Sequence, residues 1–394
     1  MRKKTEIMKK KYKITKETVE VDGHTLHRIM ALKELHYVEN VKSSCIIATV
    51  TKGILGGFIE SEKNLSQDGD CWVGDNAKVY GDAIVLDDAR IYDNAIVEDN
   101  AKVFGRSEVY GFSRISNDAK VFDNAEIYGM AKISDGAIVC DMAKVFGYAQ
   151  VYGNAQVNGM AQVYDNAKIN DNARIINNAK VYGFSVVFMN AKIRDNAQVY
   201  GNASVRGEAQ ICFGAKVYDN VEIYDHAYIS GNAQVSGNAN ISENAQVSGN
   251  AEIYDYAVIS GYSQVYNRSI VFGNAIIFGN AKVYGDAKVY GYARVREQVE
   301  IYGNAKVYGN TQIFGNTEIC GNAEVSDIGD YMVFRNSWSS GRYFTWTKSN
   351  DMWRVGCFYG TGEKLIKKAY IDSKLSGKMY EKYVNFVKEL NTNV

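Results

Sequence analysis

The sequence predicts an all-β fold: a long parallel β-helix of about 14 triangular coils of 18 residues, with a β cap before it and a small α+β domain after it. Three observations predict this fold. Every sixth residue from Val79 to Val325 is Val or Ile, at all 42 positions and without insertion or deletion. The residue two places before each of them is Ala in 33 cases and Ser, Thr or Val in the others. The 394-residue chain contains no proline.

Residues 1–66 are predicted to form the N-terminal cap, because a solenoid exposes strand edges that must be covered. The segment KYKITKETVEVDGHTLHRIMAL alternates like a β-hairpin, with Asp22-Gly23 as its turn.

Residues 67–326 are predicted to form the β-helix from a unit that reads A-x-V-x-G/D-N. Two residues that are two apart in an extended segment point to the same side, so the Ala and the Val face inward. The G/D-N pair fits a sharp corner, where Gly and Asn tolerate left-handed backbone. Three such segments per coil stack each Val on the Val 18 residues away, in parallel ladders. The absence of proline follows, because almost every N–H is then needed by a neighbouring coil.

Residues 327–394 no longer follow the period and are predicted to form a separate α+β domain. DYMVFRNSW reads as a strand, and RYFTWTKSNDMWRVGCF reads as a hairpin that turns at Ser349-Asn350-Asp351. EKLIKKAYI and KMYEKYVNFVKEL read as amphipathic helices. We interpret the four tryptophans as core residues rather than a ligand site: Trp72, Trp338, Trp346, Trp353.

The hexad resembles that of the hexapeptide-repeat family across residues 77–325, and this resemblance implies a left-handed parallel β-helix. A resemblance to the YdcK-type β-solenoid proteins of bacteria and their phages covers nearly the whole chain. It is carried by GGFIESEKNLSQDGDCWVGDNAKV at residues 56–79, by the preceding LHRIMALKEL and by the runs of GNAxV. Many such proteins are labelled acetyltransferases because of the hexapeptide pattern alone, so the resemblance implies an architecture rather than an activity.

Composition excludes several function classes. The 45 basic and 45 acidic residues cancel, so no overall field attracts nucleic acid or an anionic membrane. No apolar run approaches the ~20 residues that span a bilayer. The basic N-terminus lacks the apolar segment of a signal peptide. The six cysteines show no CxxC pair or zinc spacing, so we expect free thiols in the cytoplasm and no metal or cofactor: Cys45, Cys71, Cys140, Cys212, Cys320, Cys357.

Acyltransferase chemistry would require a histidine base, which the hexapeptide-repeat family supplies together with an extruded loop and a neighbouring subunit. Of the four histidines, His24, His27, His36 and His226, the first two lie in the predicted cap, where no acidic partner can be named. His226 takes a corner position usually held by Asn, which its tolerance of left-handed backbone explains. The repeats have no insertion that could form a lid. We therefore predict no catalytic residue, although a site formed between subunits stays open.

Two further groups of residues share a column or a corner of the predicted coils. Cys140, Cys212 and Cys320 share a column but are separated by several coils, too far for disulfides. Asp123 and Asp141 lie one coil apart at a corner, where solvated carboxylates are a simpler interpretation than a shared cation.

An aromatic face distinguishes one side of the coil when the sequence is folded at 18 residues. The outward residue after the core aliphatic is aromatic at 12 of 14 positions on this side, against six and five on the other two. The adjoining corner carries an apolar residue at six of 13 positions, against one (Tyr262) and two (Met142, Met160) of 14 elsewhere. Ladder stability explains the column but not the corner, so we predict an interface. The predicted interface residues are Tyr92, Tyr110, Phe112, Tyr128, Met130, Phe146, Tyr148, Tyr164, Tyr182, Phe184, Tyr200, Tyr218, Tyr254, Tyr256, Phe272, Tyr290, Tyr292 and Tyr308.

Three function classes remain open. The first is a non-catalytic scaffold, encoded by a phage or prophage, that binds itself or a host protein through the aromatic face. The second is an acyltransferase dependent on acetyl-CoA. The third is a glycan-binding protein, since tyrosines stack on sugars. The covering partner could be a second copy, the folded-back C-terminal domain or a foreign macromolecule.

Overall fold

The computed structural model describes residues 10–41 and 44–392, and the side chains of these residues except 37–48 and 392. The chain divides into two compact units, Met1–Glu208 and Ala209–Val394. Both contain parallel β-solenoid, which amounts to about 15 turns in all. None of the described helices is long and apolar enough to cross a membrane.

In the described part of the first unit, five strands precede the repeats: β1 (Tyr12–Val21), β2 (His24–Ala31), β3 (Leu35–Val41), β4 (Ser44–Val50) and β5 (Leu55–Ile59). Strands β1 and β2 form the predicted hairpin, and both turn residues, Asp22 and Gly23, have positive φ. Strands β3 and β4 form a second antiparallel hairpin, which the sequence pattern did not reveal. Strand β5 pairs antiparallel with β2 and parallel with the first solenoid strand of its ladder, so it joins the hairpin to the coils.

The repeats form two-residue strands, each made of a core Val or Ile and the residue before it. In the first unit they run from β6 (Trp72–Val73) and β7 (Lys78–Val79), every six residues, to β28 (Ser204–Val205). Val79 pairs with Val97, and Val97 with Ile115, which confirms the 18-residue coil. The core aliphatics and the Ala residues two places before them are fully buried. The strands thus form three parallel ladders: the first starts at β7, the second at β8 (Ile84–Val85) and the third at β6.

The coil begins earlier than the strict period predicts, at Ile59 rather than near residue 67. Ile59 pairs with Val79 and Leu65 bridges to Val85, and both are fully buried like the core residues of later coils. The next core residue, Val73, lies eight residues after Leu65 instead of six, so this coil escapes a search for the hexad. A Cβ on Gly56 would lie 2.5 Å from the Trp72 ring and one on Gly57 2.5 Å from the Ala77 carbonyl oxygen. Only glycine fits at these two positions.

The corners place left-handed backbone at the first residue of the G/D-N pair, so the expectation that its Asn adopts this conformation is wrong. Asp93, Asp165 and Asp255 have φ near 57°, while the Asn that follows a corner Gly or Asp has no positive φ. Each Asp also accepts a backbone N–H one coil further on: Gly111 N lies 3.1 Å from Asp93 Oδ2, and Gly183 N lies 3.2 Å from Asp165 Oδ2. Asp therefore tolerates the corner and satisfies a backbone donor that the strand ladder leaves out.

The second unit contains solenoid strands from β29 (Gln210–Ile211) to β48 (Glu324–Val325), followed by the C-terminal domain. Four strands pair antiparallel in chain order: β49 (Tyr331–Arg335), β50 (Tyr343–Thr347), β51 (Met352–Val355) and β52 (Phe358–Thr361). Helices α1 (Gly362–Asp372) and α2 (Lys374–Thr392) pack on this sheet. The predicted hairpin is confirmed, but β52 was missed because Gly356, with φ of 55°, turns the chain inside a segment read as one strand.

Trp346 and Trp353 are buried in the core of this domain and Trp338 packs against it, while Trp72 is buried in the first coil. The domain also covers the end of the solenoid. Glu318 N donates to Thr345 Oγ1 at 3.2 Å and Glu324 N to Ser349 Oγ at 2.7 Å. Side chains of the domain thus satisfy backbone donors that have no further coil to bind.

Candidate interaction face

The predicted aromatic column lies on the third ladder, one residue after each core aliphatic. In the first unit the rings stack without a gap, with centroid separations of 4.7–5.0 Å and interplanar angles of 2–7°: Tyr92, Tyr110, Tyr128, Phe146, Tyr164, Tyr182, Tyr200. In the second unit a shorter stack has separations of 4.8–5.0 Å: Tyr254, Phe272, Tyr290, Tyr308. Tyr218 takes the same position in its coil. Stacking covers the ring faces, so every member is only half exposed and presents its edge to solvent.

Stacking of this kind is not peculiar to the third ladder. On the second ladder Phe104 stacks on Phe122 at 4.8 Å, and Tyr284 stacks on Tyr266 and Tyr302 at 4.9 Å. Any two aromatic residues 18 apart are brought to the coil spacing, where an offset or parallel ring pair is favourable. The column therefore stabilises the ladder whether or not anything binds to it.

The apolar corner beside the column distinguishes this face. Its residues are far more exposed than the rings: Phe112 66%, Met130 47%, Tyr148 59% and Phe184 65% in the first unit, and Tyr256 61% and Tyr292 64% in the second. Corners at the same place in other coils carry Asn, as at Asn94 and Asn166. The row of corner residues, which we call the apolar corner row, thus presents most of the apolar surface of the face.

The other edge of the face is also apolar over two coils. Met142 and Met160 are 58% and 54% exposed and lie at the corner that leads into the third ladder. The sequence assigned them to a different face as exceptions. They border the strands that carry Phe146 and Tyr164, so in these coils the stacked rings have exposed apolar residues on at least one side and, beside Tyr148, on both.

Four charged residues beside the column form two ion pairs. Lys144 Nζ lies 2.8 Å from Glu126 Oε2, Arg90 pairs with Glu108, and Tyr92 OH donates to Glu108 Oε2 at 2.9 Å. Burial raises the pKa of the phenols of Tyr128 and Tyr164 above the usual value near 10. The phenols of the column are therefore uncharged at physiological pH, and two ion pairs lie beside them.

The C-terminal domain does not cover the corner row in its own unit. Its contacts with the coils involve Gln312, Glu318 and Glu324, at the end of the solenoid. Tyr256 and Tyr292 stay exposed with the domain in place. Of the partners that the sequence left open, the folded-back domain does not account for these two residues.

His24, for which the sequence offered no acidic partner, lies beside a glutamate in the structure. His24 Nδ1 lies 3.1 Å from Glu60 Oε1, and its ring centroid lies 5.1 Å from that of Tyr80. Glu60 follows β5, so the pairing depends on the register of β5 against the hairpin, which sequence spacing does not reveal. The other carboxylate oxygen of Glu60 accepts the Gly81 N–H at 2.7 Å, and the hydrogen bond with His24 lowers the pKa of Glu60. Glu60 thus accepts a backbone N–H of the next coil, as the corner Asp residues do in later coils.

His226 is an exposed corner residue, but the reason predicted for it is wrong. The left-handed conformation belongs to Asp225, with φ of 56°, and His226 has no positive φ. His27 lies in β2, paired with Thr18 and Ile59, and His36 lies in β3.

Asp123, Asp141 and Cys140 place their ligand atoms within 4.8 Å of one another, and sequence reasoning had named only the two aspartates. Both carboxylates accept backbone N–H groups: Asp123 Oδ2 from Asp141 N at 3.4 Å and Asp141 Oδ2 from Gly159 N at 2.8 Å. Burial and the two carboxylates raise the pKa of the Cys140 thiol to about 11, so it is protonated at neutral pH. The arrangement is that of a corner ladder, and a neutral thiol is a poor metal ligand.

Comparison with known proteins agrees with the architecture. The family model of the YdcK β-solenoid repeat matches residues 89–103, which span the third-ladder strand at Ile91 and the two strands after it. No curated protein matches the chain.

Proposed function

We propose that this YdcK-type β-solenoid protein is a non-catalytic scaffold, encoded by a phage or prophage, whose aromatic face binds a second copy of the chain. The observation that supports this proposal is the apolar corner row, which is exposed beside a neutral column of rings. Exposed apolar patches of several hundred Å² on soluble proteins usually mark interaction sites. The turn does not require an apolar residue at this corner, because Asn at the same place in other coils builds the same turn.

Two properties of the face favour a second copy over an unrelated protein. A second copy has the same coil spacing, so its corner residues meet equivalent sites in several successive coils, while a globular partner matches only a few. The stacked rings are uncharged and two ion pairs lie beside them, so the rings of two copies do not repel each other and offer no charge to an oppositely charged partner. An isologous arrangement about a twofold axis closes such a contact into a dimer.

The area of the face determines how tight a dimer we expect. Seven stacked rings at 4.7–5.0 Å and about four strand residues across give a footprint of roughly 400 Å² on the first unit. Two such faces bury about 800 Å² together, below the 1,200–2,000 Å² of a standard interface. We therefore expect a reversible dimer that is tighter if the second unit contributes its own corner residues.

The test replaces Phe112, Tyr148 and Phe184 by Asn, the residue that neighbouring coils carry at this corner. The corner row is a better target than the column, because Glu at Tyr164 and Tyr182 would also break the ring stack and place like charges one coil apart. Hot-spot residues contribute at least ~1 kcal/mol each, so three changes on both copies should weaken a dimer by about 6 kcal/mol, or ~10⁴-fold in Kd.

Sedimentation velocity over a range of concentrations measures the outcome. Tyr262→Asn is the matched control, because Tyr262 is 65% exposed at a corner of a different ladder. We expect an oligomer for the wild type and for this control, and a monomer for the triple variant. An unchanged mass of the triple variant, or a wild type that stays monomeric at high concentration, contradicts the proposal. Retention of a host protein by a monomeric wild type, lost in the triple variant, would instead assign the face to that partner.

Cytoplasmic residence, in the host if a phage encodes the protein, is part of the proposal. Five cysteines of the described chain are free thiols, which suits a reducing compartment. Uptake of a thiol reagent by the freshly purified, unreduced protein tests this point.

An acyltransferase dependent on acetyl-CoA stays the second candidate, and the His24–Glu60 pair favours it, since an imidazole held by a carboxylate can act as a general base. If this candidate is right, acetyl-CoA raises the thermal midpoint of the wild type, and His24→Gln abolishes the accompanying acetyl transfer. No thermal shift with acetyl-CoA would dismiss it.

Glycan binding is less well supported, because the ring faces that would stack on a sugar are covered by neighbouring rings at about 4.8 Å. A glycan array probed with the wild type and the Phe112/Tyr148/Phe184→Asn variant decides this alternative.

A further inference from the structure

The C-terminal domain contains a cavity of about 320 Å³ that none of the proposed interface residues lines. It lies between the β49–β50 loop, the β51–β52 turn and helices α1 and α2. Apolar residues from the sheet and α1 form part of its wall, including Phe358 and Leu365. Its volume falls at the lower end of the range for small-molecule sites.

Tyr380 supplies a buried hydroxyl to this cavity. The residue is 7% exposed, and its oxygen accepts a hydrogen bond from Asn336 Nδ2 at 3.0 Å. Asn336 is itself held by Ser339, whose backbone N–H donates to Asn336 Oδ1 at 3.0 Å. No described residue accepts the hydrogen of the Tyr380 hydroxyl. The hydroxyl hydrogen can therefore be donated to a ligand oxygen in the cavity.

Two cations border the same cavity without a carboxylate partner among the described residues. The Arg342 guanidinium lies against the backbone of Gly356, where an added Cβ would be 2.8 Å from its Nη1. The Lys368 ammonium lies over the Phe358 ring, 5.9 Å from its centroid. Of the residues that the structure describes, Asp372 is the one acidic residue that lines the cavity. Two cations and a free hydroxyl donor against a single carboxylate leave an excess of positive charge and of donors.

We propose that this cavity binds a small ligand through an oxyanion, a carboxylate or phosphate group, which accepts hydrogen bonds from Tyr380 and pairs with Arg342 and Lys368. Arginine binds both kinds of oxyanion through its planar fork, and lysine adds a point charge. Asp372 can receive a hydroxyl or ammonium group of the same ligand, so sugar phosphates and amino acids share the required chemistry. The site does not depend on the proposed self-association, because it uses none of the interface residues.

Cys357 provides the measurement, because its exposed thiol lines the cavity. Alkylation of the peptide that contains Cys357 is followed by mass spectrometry in the full-length protein, with inorganic phosphate or acetate against chloride at equal ionic strength. A ligand that shields the thiol slows alkylation by a factor of 1 + [L]/Kd, about tenfold when its concentration is ten times Kd. We expect saturable slowing by phosphate or acetate in the wild type.

Variants separate the site from a general effect of ions. Arg342→Gln and Tyr380→Phe should abolish the slowing, and Tyr380→Phe keeps the ring that packs in the core. Lys364→Gln, on α1 but not in the cavity lining, is the matched control and should behave like the wild type. Slowing by phosphate alone points to a phosphate ligand, and slowing by acetate alone to a carboxylate. The proposal is overturned if neither ion slows alkylation more than chloride does, or if Arg342→Gln is protected as well as the wild type.

Discussion

Replacement of Asp141 distinguishes a structural role of the corner aspartates from a functional one. Asp141 has φ of 60°, and its Oδ2 accepts the Gly159 N–H at 2.8 Å, one coil further on. Ala keeps neither property. Left-handed backbone is unfavourable for Ala by ~1 kcal/mol or more, and the lost hydrogen bond contributes ~1 kcal/mol. Asp141→Ala should therefore lower the free energy of unfolding by about 2 kcal/mol.

Two further variants separate these contributions. Asp141→Gly restores an easy left-handed corner but not the acceptor, so we expect a loss of about 1 kcal/mol. Asp141→Asn keeps both the corner conformation and an acceptor oxygen, and should lose less than ~0.5 kcal/mol. Urea unfolding followed by circular dichroism, with m compared among the variants, measures all three.

The ordering is the informative result, because a cation site at Asp123, Cys140 and Asp141 predicts a different one. A cation depends on the negative charge, so Asn would then be as harmful as Ala, and a chelator would destabilise the wild type. Either outcome refutes the structural interpretation.

Three other predictions concern stability. Burial raises the pKa of stacked phenols such as Tyr128, so the folded state holds their protons more tightly than the unfolded state does. The stability that this contributes is fully present below pH ~10 and is lost as pH rises through the folded-state pKa values. Thermal midpoints and phenolate absorbance, measured against pH, should therefore change together. Glu98→Ala removes the buried partner of Tyr80 and Arg114 and should lower the free energy of unfolding by about 2 kcal/mol, with faster amide exchange in the β1–β2 hairpin; an unchanged urea midpoint would contradict this. Met189→Asp should raise the free energy of unfolding by ~1 kcal/mol in urea unfolding, since Met189 has φ of 58° and Asp would supply an acceptor for the Gly207 N–H. A lower free energy of unfolding would contradict this reasoning.

The solenoid could be predicted because each coil repeats the same local requirement. Val or Ile every six residues determines the strands, the core and the 18-residue register, and all of these follow from one pattern. The first coil could not be found in this way, because Val73 follows Leu65 by eight residues instead of six and so interrupts the hexad. Its buried residues are instead specified by close contacts, such as those that require Gly56 and Gly57.

The candidate sites likewise include features that follow from the sequence period and features that do not. The aromatic column and corner row follow from the period, but their relative exposure does not, because it depends on how far stacking covers each ring. The His24–Glu60 pair and the cavity around Tyr380 join residues 36 and more apart through non-repeating segments. No sequence period constrains such contacts, so they become visible only in the folded chain.

Within the repeats, most positions are committed to the coil, and this limits where an interaction surface can be encoded. The core aliphatic and the small residue before it must be buried, and the left-handed corner residue is nearly always Gly, Asp or Asn. The outward residue after the core contributes to the ladder when it stacks, as it does on two ladders. The last corner position is the least restricted in residue type, since Asn, Phe and Tyr all build the same turn there. The departures from Asn along one corner are therefore the feature on which the proposed self-association rests. A second copy of the chain would present apolar surface at the same coil spacing, which is why we propose it as the partner.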